Sequence, residues 1–254
     1  MAFVIAISGK GGTGKTTIAA LMVRCLKGKS RKAVLAVDAD ANACLGLALG
    51  VEPVRTVSDI RDEVLNQKTA PGQGINRLDQ FEYGVHQVLT EAEGFDLLTM
   101  GRPEGPKCYC SVNNIIRKFM DELSDSYGYV VNDNEAGMEH LSRRTTNNVD
   151  VLAIVAEPTV VGITTAQRII QLADYLPINV KEIGIIWNKT KTPPDIDGIN
   201  VLGCIPVDEA IFRASMKGSN VFELEPDNPA LLAVRKIIEH KLAPAGKRGT
   251  KART

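Results

Sequence analysis

The stretch GKGGTGKTT, Gly9 to Thr17, gathers glycines, lysines and threonines in a Gly-X4-Gly-Lys-Thr spacing behind an apolar run. Glycines let successive backbone N–H groups turn inward around an anion, and a helix N-terminus adds partial positive charge. The expected chemistry is a phosphate cradle for a nucleotide, built from Gly11, Gly12, Thr13, Gly14 and Thr17. In that cradle Lys15 reaches the β- and γ-phosphates and the Thr16 hydroxyl ligates Mg²⁺. A second element, YVVND, ends on Asp133, a carboxylate after an apolar strand, placed for a Mg²⁺-bound water. A third, GRPEGPKCYCSVNN, sets Cys108 and Cys110 one residue apart. In an extended segment residues i and i+2 project to the same side, so two thiolates can grip one soft ion such as Zn²⁺ or Ni²⁺. The pair leaves coordination positions open, and a two-fold homodimer would bring a second copy and close a four-cysteine site. A redox pair or two incidental thiols fit the spacing as well.

These residues need strands and helices to hold them. Short apolar runs at Phe3 to Ser8 and ending at Asp38, Met100, Asp133, Glu157, Lys189 and Pro206 read as strands buried on both faces. Helical patterns lie between them: Lys15 onward, Asn113 to Leu123, Gly162 to Leu176, Asp208 to Met216 and Asn228 to Leu242. The alternation predicts an α/β fold with a mostly parallel central sheet and helices on both faces. Gly50 to Ala92 interrupts it as a long polar insertion, helical or irregular. Residues 1–242 are expected to form one ATPase domain, and 243–254, APAGKRGTKART, a disordered basic tail.

The 254 residues carry 30 basic and 30 acidic side chains, which argues against a nucleic-acid binder working through bulk charge. No run approaches the roughly 18 apolar residues of a membrane span, and the N-terminus lacks the basic region of a signal peptide. Five cysteines, an odd and sparse number, do not make a disulfide framework, and a cytoplasmic setting follows. Cys25 and Cys204 read as small buried hydrophobes, while Cys44 stays ambiguous. WNKT places Asn188 after a strand, where its amide can pair with an adenine edge. Lys191 stands where guanine-reading sequences need an aspartate, which favours ATP over GTP.

Lys10, in KGGTGKT, resembles the signature lysine of the deviant Walker A motif of the MinD-type ATPases. That group includes the partition ATPases and the nitrogenase iron protein. The resemblance implies a P-loop ATPase in which Lys10 crosses a dimer interface to the partner's nucleotide. It also implies switch I acids at Asp38 and Asp40: Asp40 positions or activates the attacking water, and Asp38 supports Mg²⁺ through water. Gly137 is similar to a switch II glycine that senses the γ-phosphate. Glu135, Glu139 and His140 follow the same strand and either transmit the switch or cap a helix. GCIPVDEA resembles the second base-contact segment, with Pro206 and Val207 against the ring.

GRPEGPKCYC, with DNEAGMEHLSRRT and KGGTGKTT, looks like the nickel-insertion ATPases of the CooC/AcsF type, which mature carbon monoxide dehydrogenase and acetyl-CoA synthase. The resemblance spans about Met1 to Leu242. It implies that Cys108 and Cys110 of two protomers bind Ni²⁺ across a homodimer interface, with that enzyme as recipient and no membrane or nucleic-acid partner. Asn42 departs from a more acidic switch I. Two other readings stand beside it. A MinD- or ParA-like positioning ATPase would need an amphipathic or basic face, and the tail has no apolar stripe. An electron donor like the nitrogenase iron protein would need a cysteine in NDNEAGMEH, which has none.

Overall fold

β1 (Phe3–Gly9) is buried at all but its first position, as expected of a strand covered on both faces. It sits inside an eight-stranded sheet of order β3-β4-β2-β5-β1-β6-β7-β8. Its neighbours are β5 (Tyr129–Asp133) and β6 (Asn148–Ala156), both parallel to it. β2 (Val34–Asp38) pairs with β5 and with β4 (Phe95–Thr99), and β7 (Asn179–Asn188) carries β8 (Val201–Ile205) on the far edge. The computed structural model describes residues 2–66, 84, 87–102, 122–136, 148–175 and 178–242.

The α/β architecture matches the expectation. β3 (Leu89–Ala92) was missed: it runs antiparallel to β4 inside the region read as a helical or irregular insertion. Its four residues are half-buried or exposed, too short and too polar to show a strand pattern. The pairing comes from the turn that brings it back onto Phe95–Thr99 rather than from its own composition. That region also includes α3 (Val57–Asn66), and α2 (Leu45–Leu49) lies just before it.

α1 (Lys15–Leu26) is buried almost all round, with Ile18, Leu21, Met22 and Leu26 at 1% exposure or less. A helix apolar on every side needs cover on every side. The sheet lies against one face, and α2 and α6 (Pro229–Ile237) cover others. Burying each such Leu or Ile contributes about 2 kcal/mol, so the helix that starts at the phosphate loop is among the most firmly seated.

α4 (Val160–Ala173) begins two residues before the expected Gly162, because the Thr159 side chain accepts the Gly162 N–H and sets the cap. α5 (Glu209–Lys217) lies close to its expected limits. α6 ends at Ile237, and the chain continues to Leu242 in a wider helical turn. No helix among the described residues is long and apolar enough to cross a membrane.

The chain order explains where a ligand belongs. After β1 the chain builds outward on the β5 side, and after β5 it crosses to β6 on the other side. β1 is therefore the switch point, and α/β sheets bind ligands beyond the carboxyl ends of their strands at such a point.

Candidate active site

The phosphate loop leaves β1 at Gly9. A side chain there would place its Cβ 2.3 Å from the Val155 carbonyl oxygen of β6, so only glycine fits the exit. Gly14 closes the loop at φ 92°, and a Cβ there would lie 2.6 Å from Asn188 Nδ2. Between them, the Thr13 hydroxyl donates to the Lys10 carbonyl at 2.8 Å, and Lys15 Nζ donates to the same oxygen at 3.3 Å. α1 has no side-chain cap and no acidic residue in its first turn, so its leading N–H groups are left for an anion. Lys15 is buried to 7% exposure, whereas Lys10, Gly11 and Gly12 are exposed on the outer rim.

The carboxylates are set by strand register. Asp38 of β2 pairs with Asp133 of β5, and Asp133 pairs with Ile7 of β1, so all three stand level at the carboxyl end and share one face. Asp38 is fully buried; its oxygens accept N–H groups from Asp40 at 3.2 Å and Leu45 at 2.8 Å. Burial pushes its pKa up to about 6, against the pull of those two hydrogen bonds. Asp133 is also buried, and neither of its oxygens has a hydrogen bond of full geometry. Burial pushes its pKa up to about 7, with the Thr16 hydroxyl as the largest influence the other way; Asp38 adds repulsion and Lys15 offsets it.

A buried carboxyl pair beside a threonine hydroxyl, one member without partners, is a donor set suited to a hard cation such as Mg²⁺. Thr99, in register with Asp38, has a buried hydroxyl without a partner on the same rim. Sequence reasoning missed it, although a polar residue closing the apolar run FDLLT was a usable signal.

Asp40 sits half-buried past the strand end. One of its oxygens accepts both the backbone N–H and the side-chain amide of Asn42, each at 2.9 Å. The departure noted at Asn42 thus holds Asp40 in place. Cys44 is exposed and its pKa is raised, first by partial desolvation and then by Asp38, Asp40 and Asp133, which keeps it a thiol. Cys25 is buried as expected; Cys204 is half-buried.

On the other side of the loop lies a cleft of ≈ 360 Å³, lined among others by Asn188, Pro206, Val207, Asp208, Ile211 and Phe212. The apolar walls suit a flat ring. Asn188 donates to the Thr13 carbonyl at 2.7 Å and accepts the Lys189 N–H at 2.9 Å, tying β7 to the phosphate loop. One amide N–H and one lone pair remain for a base. Asp208 and Phe212 were not singled out in the sequence.

Gly137, Cys108, Cys110, Glu139 and His140 lie outside the described residues. Among the described residues no group of three or more His, Cys, Asp or Glu side chains is arranged to hold a metal ion.

A family profile described as the CobQ/CobB/MinD/ParA nucleotide binding domain matches residues 4–221. An uncharacterised ATP-binding protein of Methanocaldococcus jannaschii is 41% identical, over 93% of this chain and 97% of its own. The carbon monoxide dehydrogenase accessory protein CooC of Rhodospirillum rubrum is 32% identical, over 87% of this chain and 90% of its own. This bears out the resemblance read from the sequence. MinD of Pyrococcus horikoshii, solved with Mg-ADP, superposes with a TM-score of 0.65 at 24% identity, over 94% and 95% of the two chains, a likeness of fold. Together these matches identify the chain as an ATP-binding ATPase.

Proposed function

The chain belongs to the CobQ/CobB/MinD/ParA nucleotide-binding family, and from that premise we propose that it is a nickel-carrying ATPase that matures carbon monoxide dehydrogenase or acetyl-CoA synthase as a nucleotide-dependent homodimer. The observation that carries this reading is the co-occurrence, on one CooC-like chain, of a complete phosphate loop and the Cys108-X-Cys110 pair. Nickel is the cargo, bound by the cysteines of two protomers; Zn²⁺ suits the same thiolates.

In the chemical step, the α1 N-terminus and the loop N–H groups hold the phosphates of ATP, and Lys15 turns from the Lys10 carbonyl to the β- and γ-phosphates. Asp40, steadied by Asn42, orients the attacking water. Thr16, with Asp38 and Asp133, would hold Mg²⁺, which neutralises phosphate charge when bound. Lys10, exposed on the rim, is positioned to serve a second copy of the chain, adding a cation where the transferring phosphoryl group gathers negative charge. Dimer closure then changes the separation of the two CxC pairs, which couples nucleotide to metal.

The test is nickel titration of the wild type and Cys108→Ser, with gel filtration, with and without ATP. One nickel per two chains, lost in the variant, is the expected result. Unchanged binding in the variant refutes the metal assignment.

A further inference from the structure

We propose that Asp208 is the positioning residue of the base cleft, one carboxylate that locks the cleft wall to the protein core. The inference rests on the reading that the adenine ring lies against Asn188, Pro206 and Val207.

The cleft wall runs from the end of β8 through Pro206 and Val207 into α5, where Ile211 and Phe212 continue it. α5 is amphipathic, but none of its side chains is fully buried. Val207 and Phe212 are 71% and 66% exposed. Core packing therefore seats this wall far less firmly than it seats α1 or α6. α6 is the opposite case: Ala230, Leu231, Val234 and Ile237 are buried in the core cluster under the phosphate helix.

Asp208 joins the two helices. One carboxylate oxygen accepts the N–H groups of Ala210 at 2.9 Å and Ile211 at 3.2 Å, which caps α5. The other accepts Asn228 Nδ2 at 2.9 Å and the Ala230 N–H at 3.3 Å, at the start of α6. Asn228, 5% exposed, in turn caps α6 by accepting the Leu231 N–H at 2.9 Å. An ordinary cap needs only the first pair of bonds. The second pair ties the wall of the cleft to α6, and hydrogen bonds to an ionised carboxylate are the stronger kind. Asp208 thus passes the rigidity of α6 to Pro206, Val207 and Phe212, and a pre-set wall lowers the ordering cost of binding a base.

The experiment compares steady-state ATP and GTP hydrolysis by Asp208→Asn, Asn228→Asp and the double exchange, with ATP affinity read also from Trp187, the single tryptophan, which adjoins Asn188. An amide at 208 keeps the α5 cap but presents a donor to the Asn228 amide. The ATP KM is expected to rise about tenfold with kcat within about twofold, and the ATP-over-GTP preference to narrow. Asn228→Asp sets two carboxylates face to face and should act likewise. The exchange restores the donor–acceptor pair between positions 208 and 228, leaving only the longer Ala230 N–H contact unmatched, and is expected to bring the KM back to within about threefold. A merely structural cap lowers Tm in the single variants and leaves KM and base preference unchanged; that result overturns the proposal, as does failure of the exchange to rescue. Val207→Trp, which fills the cleft, tests the underlying reading separately. If it leaves the ATP KM unchanged, the base binds elsewhere and the reading falls with the inference. If it blocks ATP while Asp208→Asn changes neither KM nor preference, only the inference falls.

Discussion

Replacing Asp133 by asparagine is expected to abolish hydrolysis and yet make the metal- and nucleotide-free protein more stable at pH 8. The carboxylate is buried to 1% exposure and neither oxygen has a hydrogen bond of full geometry. Ionising it where its pKa is about 7 rather than 3.8 costs about 4 kcal/mol. The asparagine amide is itself a buried polar group in the same place, which offsets about 1–3 kcal/mol of the gain. A net gain of about 2 kcal/mol remains, or about 4–8 °C in Tm for a chain of this size. The folded-state pKa lies above the unfolded one, so the penalty is full above pH 7 and fades as pH falls toward 3.8. At pH 5.5 about half of it, about 2 kcal/mol, is left, which the pH-independent cost of the buried amide offsets, so the advantage of the variant should all but vanish. Asp38 titrates in both proteins and largely cancels in the difference. Thermal unfolding followed by circular dichroism at the two pH values measures the effect, and phosphate release should show a loss of at least about 100-fold. A variant less stable than wild type at pH 8, or one whose gain is as large at pH 5.5, refutes the view of Asp133 as a strained, cation-awaiting carboxylate.

Two further substitutions probe the loop. Gly14→Ala places a methyl at φ 92° and within 2.6 Å of Asn188 Nδ2; it should cost about 1–3 kcal/mol and weaken ATP binding more than tenfold by calorimetry. Lys10→Ala leaves the buried contacts of Lys15 intact, so ATP affinity should stay within about threefold while hydrolysis falls by about 10³, as for a lost arginine finger. Loss of affinity without loss of turnover would contradict the in-trans role.

Much of this site could be read before any coordinates. The phosphate loop was legible because its glycines and Lys15 are local requirements: a loop that wraps an anion needs those residue types at that spacing wherever it occurs. Asp38 and Asp133 were legible as acids closing apolar runs. The four-residue β3 was not, because an edge strand of such polar composition exists only through its partner.

The sequence by itself determined the alternating α/β pattern, the nucleotide chemistry of Gly9 to Thr17, and the thiol pair at Cys108 and Cys110. Those depend on neighbours along the chain. The tertiary structure decided what depends on neighbours across it. Register set Asp38 beside Asp133 and burial raised both pKa values; and Asp208, not singled out in the sequence, was brought between two helices whose starts lie 20 residues apart to bond both. Burial and hydrogen bonding between distant segments are properties of the packed chain, and residue types alone do not carry them.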